Sequence, residues 1–114
     1  MPNYILLLHE PKDSQLFQMS PAEMQVIISK YSAWRNKMAG DGTIQGGNKL
    51  QDGTGRSLVQ NAGKLTITDG PYPETKEIIG GFFVLKADSF DHAVELSKTC
   101  PHLEFGRIEI RQTE

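Results

Sequence analysis

Apolar and polar residues alternate along this chain with two periods, and the switches between them mark its elements. Tyr4-Ile5-Leu6-Leu7-Leu8 is apolar throughout and predicts a central strand buried on both faces. His9 and Glu10 stand at its C-terminal end, and Pro11 stops it. After a polar connection, Ser20-Pro21-Ala22-Glu23 carries three helix-start signals: a capping serine, a proline suited to the first turn and a glutamate completing a capping box. Met24, Ile27, Ile28, Tyr31, Trp34 and Met38 follow at helical spacing as one apolar stripe, with Gly40 as the expected C-terminal cap. Ser29, Lys30, Arg35 and Lys37 fill the solvated face.

The second half reads mainly as strands. Thr43 to Leu50 is a weak strand interrupted by Gly46-Gly47, a pair that suggests a bulge or a closely passing backbone. Arg56 to Gln60 and Lys64 to Thr68 form a hairpin around Asn61-Ala62-Gly63, expected to be a three-residue loop with the glycine left-handed. Gly81 to Leu85 is a second central strand. A short helix follows, capped by Asp88 or Ser89, with Phe90, Ala93, Val94 and Ser97 inward and His92 on the solvated face. Gly106 to Arg111 alternates strictly, with Ile108 and Ile110 facing the core. Strand, helix, strand, hairpin, strand, helix, strand predicts an α+β ferredoxin-like sandwich with an inserted hairpin. One sheet face takes the helices. The other, carrying Leu7 and Phe83, is too apolar for water, and a second copy of the chain is its simplest cover. The expected partner is therefore a homodimer mate packed sheet to sheet.

Composition narrows the function. One domain over residues 1–114 suits this length. A net charge of −2 argues against a nucleic-acid partner, which calls for a basic surface. The lone Cys100 permits neither an internal disulfide nor a cysteine zinc site, and reads as a small buried hydrophobe. No apolar run approaches the roughly 20 residues of a membrane span, and no leader precedes the first strand, so a cytoplasmic protein with no membrane partner is expected.

Candidate chemistry concentrates in Thr68-Asp69-Gly70-Pro71-Tyr72-Pro73-Glu74-Thr75-Lys76-Glu77, followed by Gly80-Gly81. A rigid polar loop between two core strands is where a fold can hold side chains for binding or catalysis. Asp69 is the candidate general base or acid, with Tyr31 or His9 as the second proton-transfer group. Lys76 can hold an anionic substrate group, and Tyr72, Glu74 and Trp34 complete the expected substrate contacts. Structural readings stand beside these: Asp69 as a turn residue, His9 as a strand-end histidine facing water, Trp34 packing against the sheet, and Glu74, Lys76 and Glu77 as a surface ion cluster worth ~1 kcal/mol or less. His9, Glu10 and Asp69 make only a weak nitrogen–oxygen set, and the histidines lack ligand spacing, so neither a metal nor another cofactor is expected.

Asp69-Gly70-Pro71-Tyr72, with Glu74, Lys76, Glu77, Gly80 and Gly81, resembles the DGPF group of the YCII-related family, Tyr72 replacing that group's phenylalanine. The likeness extends over nearly the whole chain, from the first strand and the helix with Tyr31 to Gly106, Ile108, Glu109, Ile110 and Arg111. It implies a ferredoxin-like domain forming a dimeric α+β barrel. It also implies acid–base chemistry on a small organic molecule. Some members hold a His–Asp pair in a cleft, and relatives of the same barrel isomerise lactones or dehalogenate small rings. In members with the pair, the histidine lies on the first helix, where this chain has Tyr31, while Asp69 is the implied acid. The group is often encoded beside extracytoplasmic-function sigma factors, which implies the alternative of a non-catalytic, dimeric ligand-binding accessory protein in regulation.

Overall fold

The computed structural model of the protein describes residues 2–69 and 76–114. Strand β1 (Asn3–Pro11) leads through a 3-10 turn (Gln15–Gln18) to helix α1 (Pro21–Gly40) and strand β2 (Ile44–Lys49). Strands β3 (Arg56–Asn61) and β4 (Lys64–Asp69) follow, then β5 (Glu77–Lys86), α2 (Phe90–Ser97), a second 3-10 turn (Pro101–Glu104) and β6 (Arg107–Gln112). The main sheet has the order β2-β5-β1-β6 with every neighbour antiparallel. With β3–β4 set aside, this is the ferredoxin-like βαββαβ arrangement, the first and third of its strands central. The expected α+β class and inserted hairpin are both observed.

Local chemistry accounts for the boundaries. The Ser20 hydroxyl accepts from the Glu23 amide and the Glu23 carboxylate accepts from the Ser20 amide, each at 3.2 Å, closing the capping box. The helix ends differently from the expectation. Gly40 is its last helical residue, Asp41 caps it, and the left-handed position falls on Gly42 at φ 75°. The amides of Asp41, Gly42 and Thr43 bond back to Lys37, Ala39 and Met38 carbonyls, so the turn is closed two residues later than composition suggests. The hairpin also differs. Asn61 pairs with Lys64, leaving a two-residue loop with Ala62 at φ 51° and Gly63 at φ 79°, the left-handed pair that matches the strand twist. Ser89, of the two candidate caps, accepts from the His92 amide.

The helices cover one face of the sheet. Leu6, Leu8, Trp34, Met38, Ile44, Phe83, Leu85 and Cys100 form the core there, with the Trp34 and Phe83 rings edge-to-face at 5.2 Å. Burying each such side chain contributes roughly 1.5–3 kcal/mol. Tyr4 extends this core beneath α2, against Ala87 and Ala93. Along β1, Tyr4, Leu6, Leu8 and Glu10 are buried on the helix side, while Ile5, Leu7 and His9, on the opposite face, are half-buried within the single chain. Phe82 and Val84 of β5 pair with Leu7 and Ile5 on that second, uncovered face. Phe83, in contrast, points into the helix side. The β3–β4 hairpin is a separate sheet whose residues are all exposed, Leu58, Val59, Leu65 and Ile67 among them. No helix among the described residues is long and apolar enough to cross a membrane.

Candidate active site

Continuation of β1 past Leu8 creates the site. Side chains alternate along a strand, so the face that buries Tyr4, Leu6 and Leu8 also takes Glu10. Glu10 is only 5% exposed. The neighbouring strand makes room for it. Pairing passes from Leu8–Gly81 to His9–Ile79, so Gly80 is an extra residue bulged out of β5. A Cβ at Gly80 would lie 2.6 Å from Glu10 Oε1, so a larger residue there would push the Glu10 carboxylate aside.

Glu10 opens onto a cleft of about 240 Å³ beneath one face of α1. Met24, Ile28, Tyr31 and Arg35 line that cleft from successive helical turns, while Leu16 and Phe17 close it from the 3-10 turn after β1. The apolar stripe read along α1 thus serves two surfaces. Trp34 and Met38 enter the core, Met24, Ile28 and Tyr31 face the cleft, and Ile27 reaches both. Asn48, Lys49 and Asp52 form the opposite rim, with Lys49 Nζ 2.8 Å from Asp52 Oδ1.

His102, on the 3-10 turn after α2, supplies the inner wall and is 2% exposed. Its Nε2 lies 2.8 Å from the His9 carbonyl oxygen and its Nδ1 lies 2.9 Å from the Tyr31 hydroxyl. A carbonyl can only accept, so Nε2 carries the proton and Nδ1 is a bare lone pair. Tyr31 therefore donates to Nδ1 and presents its own oxygen lone pairs toward the cleft. Gly106 permits this packing, because a Cβ there would collide with the His9 carbonyl.

Burial sets the protonation states. Desolvation raises the Glu10 carboxyl above its ordinary value, against the pull of the Lys49 ammonium. Desolvation likewise lowers His102, favouring the neutral ring, although its bond to the His9 backbone works the other way. Tyr31 is held protonated far above the usual phenol range, again by burial first and then by neighbouring acidic groups. The floor thus presents a proton-accepting or proton-donating carboxyl and a neutral, oriented Tyr–His pair within apolar walls.

The residues expected from sequence fall in several places. Tyr31 lines the cleft. His9 contributes its backbone carbonyl to the site, while its ring points to the uncovered sheet face and meets Glu109 Oε1 at 2.9 Å. Trp34 is in the core, donating to Thr99 Oγ1 at 2.8 Å. Asp69 sits at the exposed end of the hairpin, 3.2 Å from Arg56 Nε. Lys76 borders a shallow groove with Pro11, Lys12, Asp13 and Glu77, apart from the cleft. Tyr72 and Glu74 lie outside the described residues. Glu10 and His102 were the residues missed. The alternation of β1 could have indicated Glu10 had the strand been carried to Pro11; no local signal pointed to His102. Among the described residues, no three His, Cys, Asp or Glu side chains gather as a metal-binding set.

The family model for the YCII-related domain matches residues 3–113. No curated protein matches the chain in sequence. Among solved structures, it is similar to 5-chloro-2-hydroxyhydroquinone dehydrochlorinase (TftG) from Burkholderia phenoliruptrix AC1100, in complex with 2,5-dihydroxybenzoquinone. That likeness has 17% identity and a TM-score of 0.48, and covers 98% of this chain and 93% of that one.

Proposed function

The chain belongs to the YCII-related domain family, and we propose that it is an enzyme performing acid–base chemistry on a small organic molecule in the Glu10–Tyr31–His102 cleft. The observation that carries this reading is a carboxyl buried in a mostly apolar cleft that also holds a hydrogen-bonded Tyr–His pair. A carboxylate whose charged form is disfavoured by burial holds a proton more readily than an exposed one, which suits a group that takes and returns a proton. Glu10 is the general base or acid. Tyr31, oriented by His102, accepts a hydrogen bond from the substrate O–H or N–H next to the reacting centre. The cleft volume suits a small substrate: a cavity of about 150 Å³ holds benzene.

The sheet face bearing Ile5, Leu7, Phe82 and Val84 supports a homodimer as the working form, a second copy covering it. The same cleft in a non-catalytic, ligand-binding accessory protein is the alternative reading.

The test is solvent deuterium incorporation, followed by NMR, into a panel of small lactones, ketones and carboxylic acids in D2O. Glu10→Gln is expected to reduce exchange by about 10²–10⁴-fold. Tyr31→Phe is expected to reduce it less. Undiminished exchange in Glu10→Gln, or none in the wild type, would sink the enzymatic reading in favour of the accessory protein.

A further inference from the structure

One rim group is unexplained by the chemistry of the floor. Arg35 lines the cleft one helical turn beyond Tyr31, and its Nη2 donates to the Gly47 carbonyl at 3.2 Å. That carbonyl is aimed by the irregularity in β2, where pairing slips between Ile44 and Gly46. Gly47 itself has φ 150°, and a Cβ there would lie 2.5 Å from the Phe82 carbonyl oxygen, so only glycine supports this backbone. The tether uses one of five guanidinium N–H groups and leaves the other four for a ligand. No carboxylate pairs with Arg35 among the described residues; Asp52, the acidic group on the same rim, is taken by Lys49. A cationic group tethered at the rim of an apolar cleft, with no ion partner among the described residues, matches a ligand that brings the anion.

We propose that the cleft binds small organic monocarboxylates, with the carboxylate on Arg35 and the apolar body between Met24, Ile28 and Phe17, directing the reacting carbon toward Glu10. The charge count favours a monoanion over a phosphate dianion. Lys49 and Asp52 cancel, leaving one positive charge at the rim, and an ionised Glu10 at the floor would repel a second negative charge. This assignment rests on the acid–base reading for the direction in which the ligand lies, but its binding step is testable without turnover.

Benzoate and its neutral isostere benzamide serve as probes, titrated into the full ¹⁵N-labelled chain and followed by amide shifts. Benzoate is expected to move the Tyr31, Arg35, Gly47 and Asn48 amides saturably and to bind at least tenfold tighter than benzamide. Arg35→Met should bring benzoate down to the benzamide level, and added salt should weaken only benzoate. Glu10→Gln should leave benzoate binding intact or tighten it, even where it abolishes exchange. Arg35 is exposed, so the substitution leaves the core untouched, and an unchanged spectrum elsewhere confirms the fold. Equal affinity for the two probes, an unaltered benzoate affinity in Arg35→Met, or no saturable shift at millimolar benzoate would overturn the proposal. Loss of exchange in Glu10→Gln would in each case still support the acid–base reading.

Discussion

Deleting one oxygen atom tests the wiring of the cleft. In Tyr31→Phe, His102 Nδ1 loses the donor that stands 2.9 Å away, while its Nε2 remains committed to the His9 carbonyl. A buried acceptor left without a partner costs about 1–3 kcal/mol. The cleft opens beside Tyr31, so water can reach part of the vacated position, which favours the lower half of that range, about 1–2 kcal/mol. The aromatic ring remains, stacked on Phe105 at 6.4 Å, so little packing is lost to confuse the result. For a chain of this size the loss corresponds to a fall in Tm of roughly 4–10 °C. Urea unfolding should show a lower midpoint with an unchanged m value, the sign of altered stability rather than altered compactness. A double-mutant cycle with His102→Ala should give a coupling of about 1 kcal/mol, since the two side chains share one bond. A loss below about 0.3 kcal/mol, or zero coupling, would refute the tautomer and the donor direction assigned to the pair.

Other outcomes follow from the same geometry. Gly106→Ala should destabilise by about 2 kcal/mol or more, because its Cβ meets a backbone carbonyl that cannot swing aside, whereas Gly40→Ala, with open space and helical backbone, should stabilise by about 0.5–1 kcal/mol; thermal unfolding of the two variants checks the contrast. The native state holds the Glu10 proton to higher pH than the unfolded chain does, so this group's contribution to stability is complete below 4.5 and is lost as pH rises through its raised value. The sign reverses for His102, whose contribution is complete above 6.5 and is lost as pH falls through its lowered value, so denaturation midpoints of Glu10→Gln and His102→Gln across pH should flatten opposite arms of the profile. Cys100, buried and pushed up to about 11, should react with a disulfide reagent at neutral pH only at the rate at which the chain opens. Leu7→Lys should shift sedimentation from dimer to monomer while leaving the helix-side core intact, and an unshifted species would remove the sheet-to-sheet dimer.

Short-range chemistry made most of the architecture legible in the sequence. The capping box at Ser20 and Glu23, the helical spacing that follows and the alternation of Arg107 to Gln112 involve residues a few positions apart, so the sequence displays them directly. Element order then left few topologies, and the ferredoxin-like one was among them. The cleft depends on distances that no local pattern carries. β1 runs to Pro11 because Glu10 and Pro11 pair with Ile78 and Glu77 across the sheet, and that extension turns a strand-end glutamate into a buried one. Tyr31 meets a histidine 71 residues later on a turn with no periodicity. Arg35 occupies the solvated face of its helix by spacing, yet it belongs to the site because a bulged strand brings the Gly47 carbonyl beneath it. The sequence by itself determined which segments are helix and strand, since those choices are made by neighbours. Only the tertiary structure decided which polar side chains leave water together, because that is settled by which distant segments share a wall.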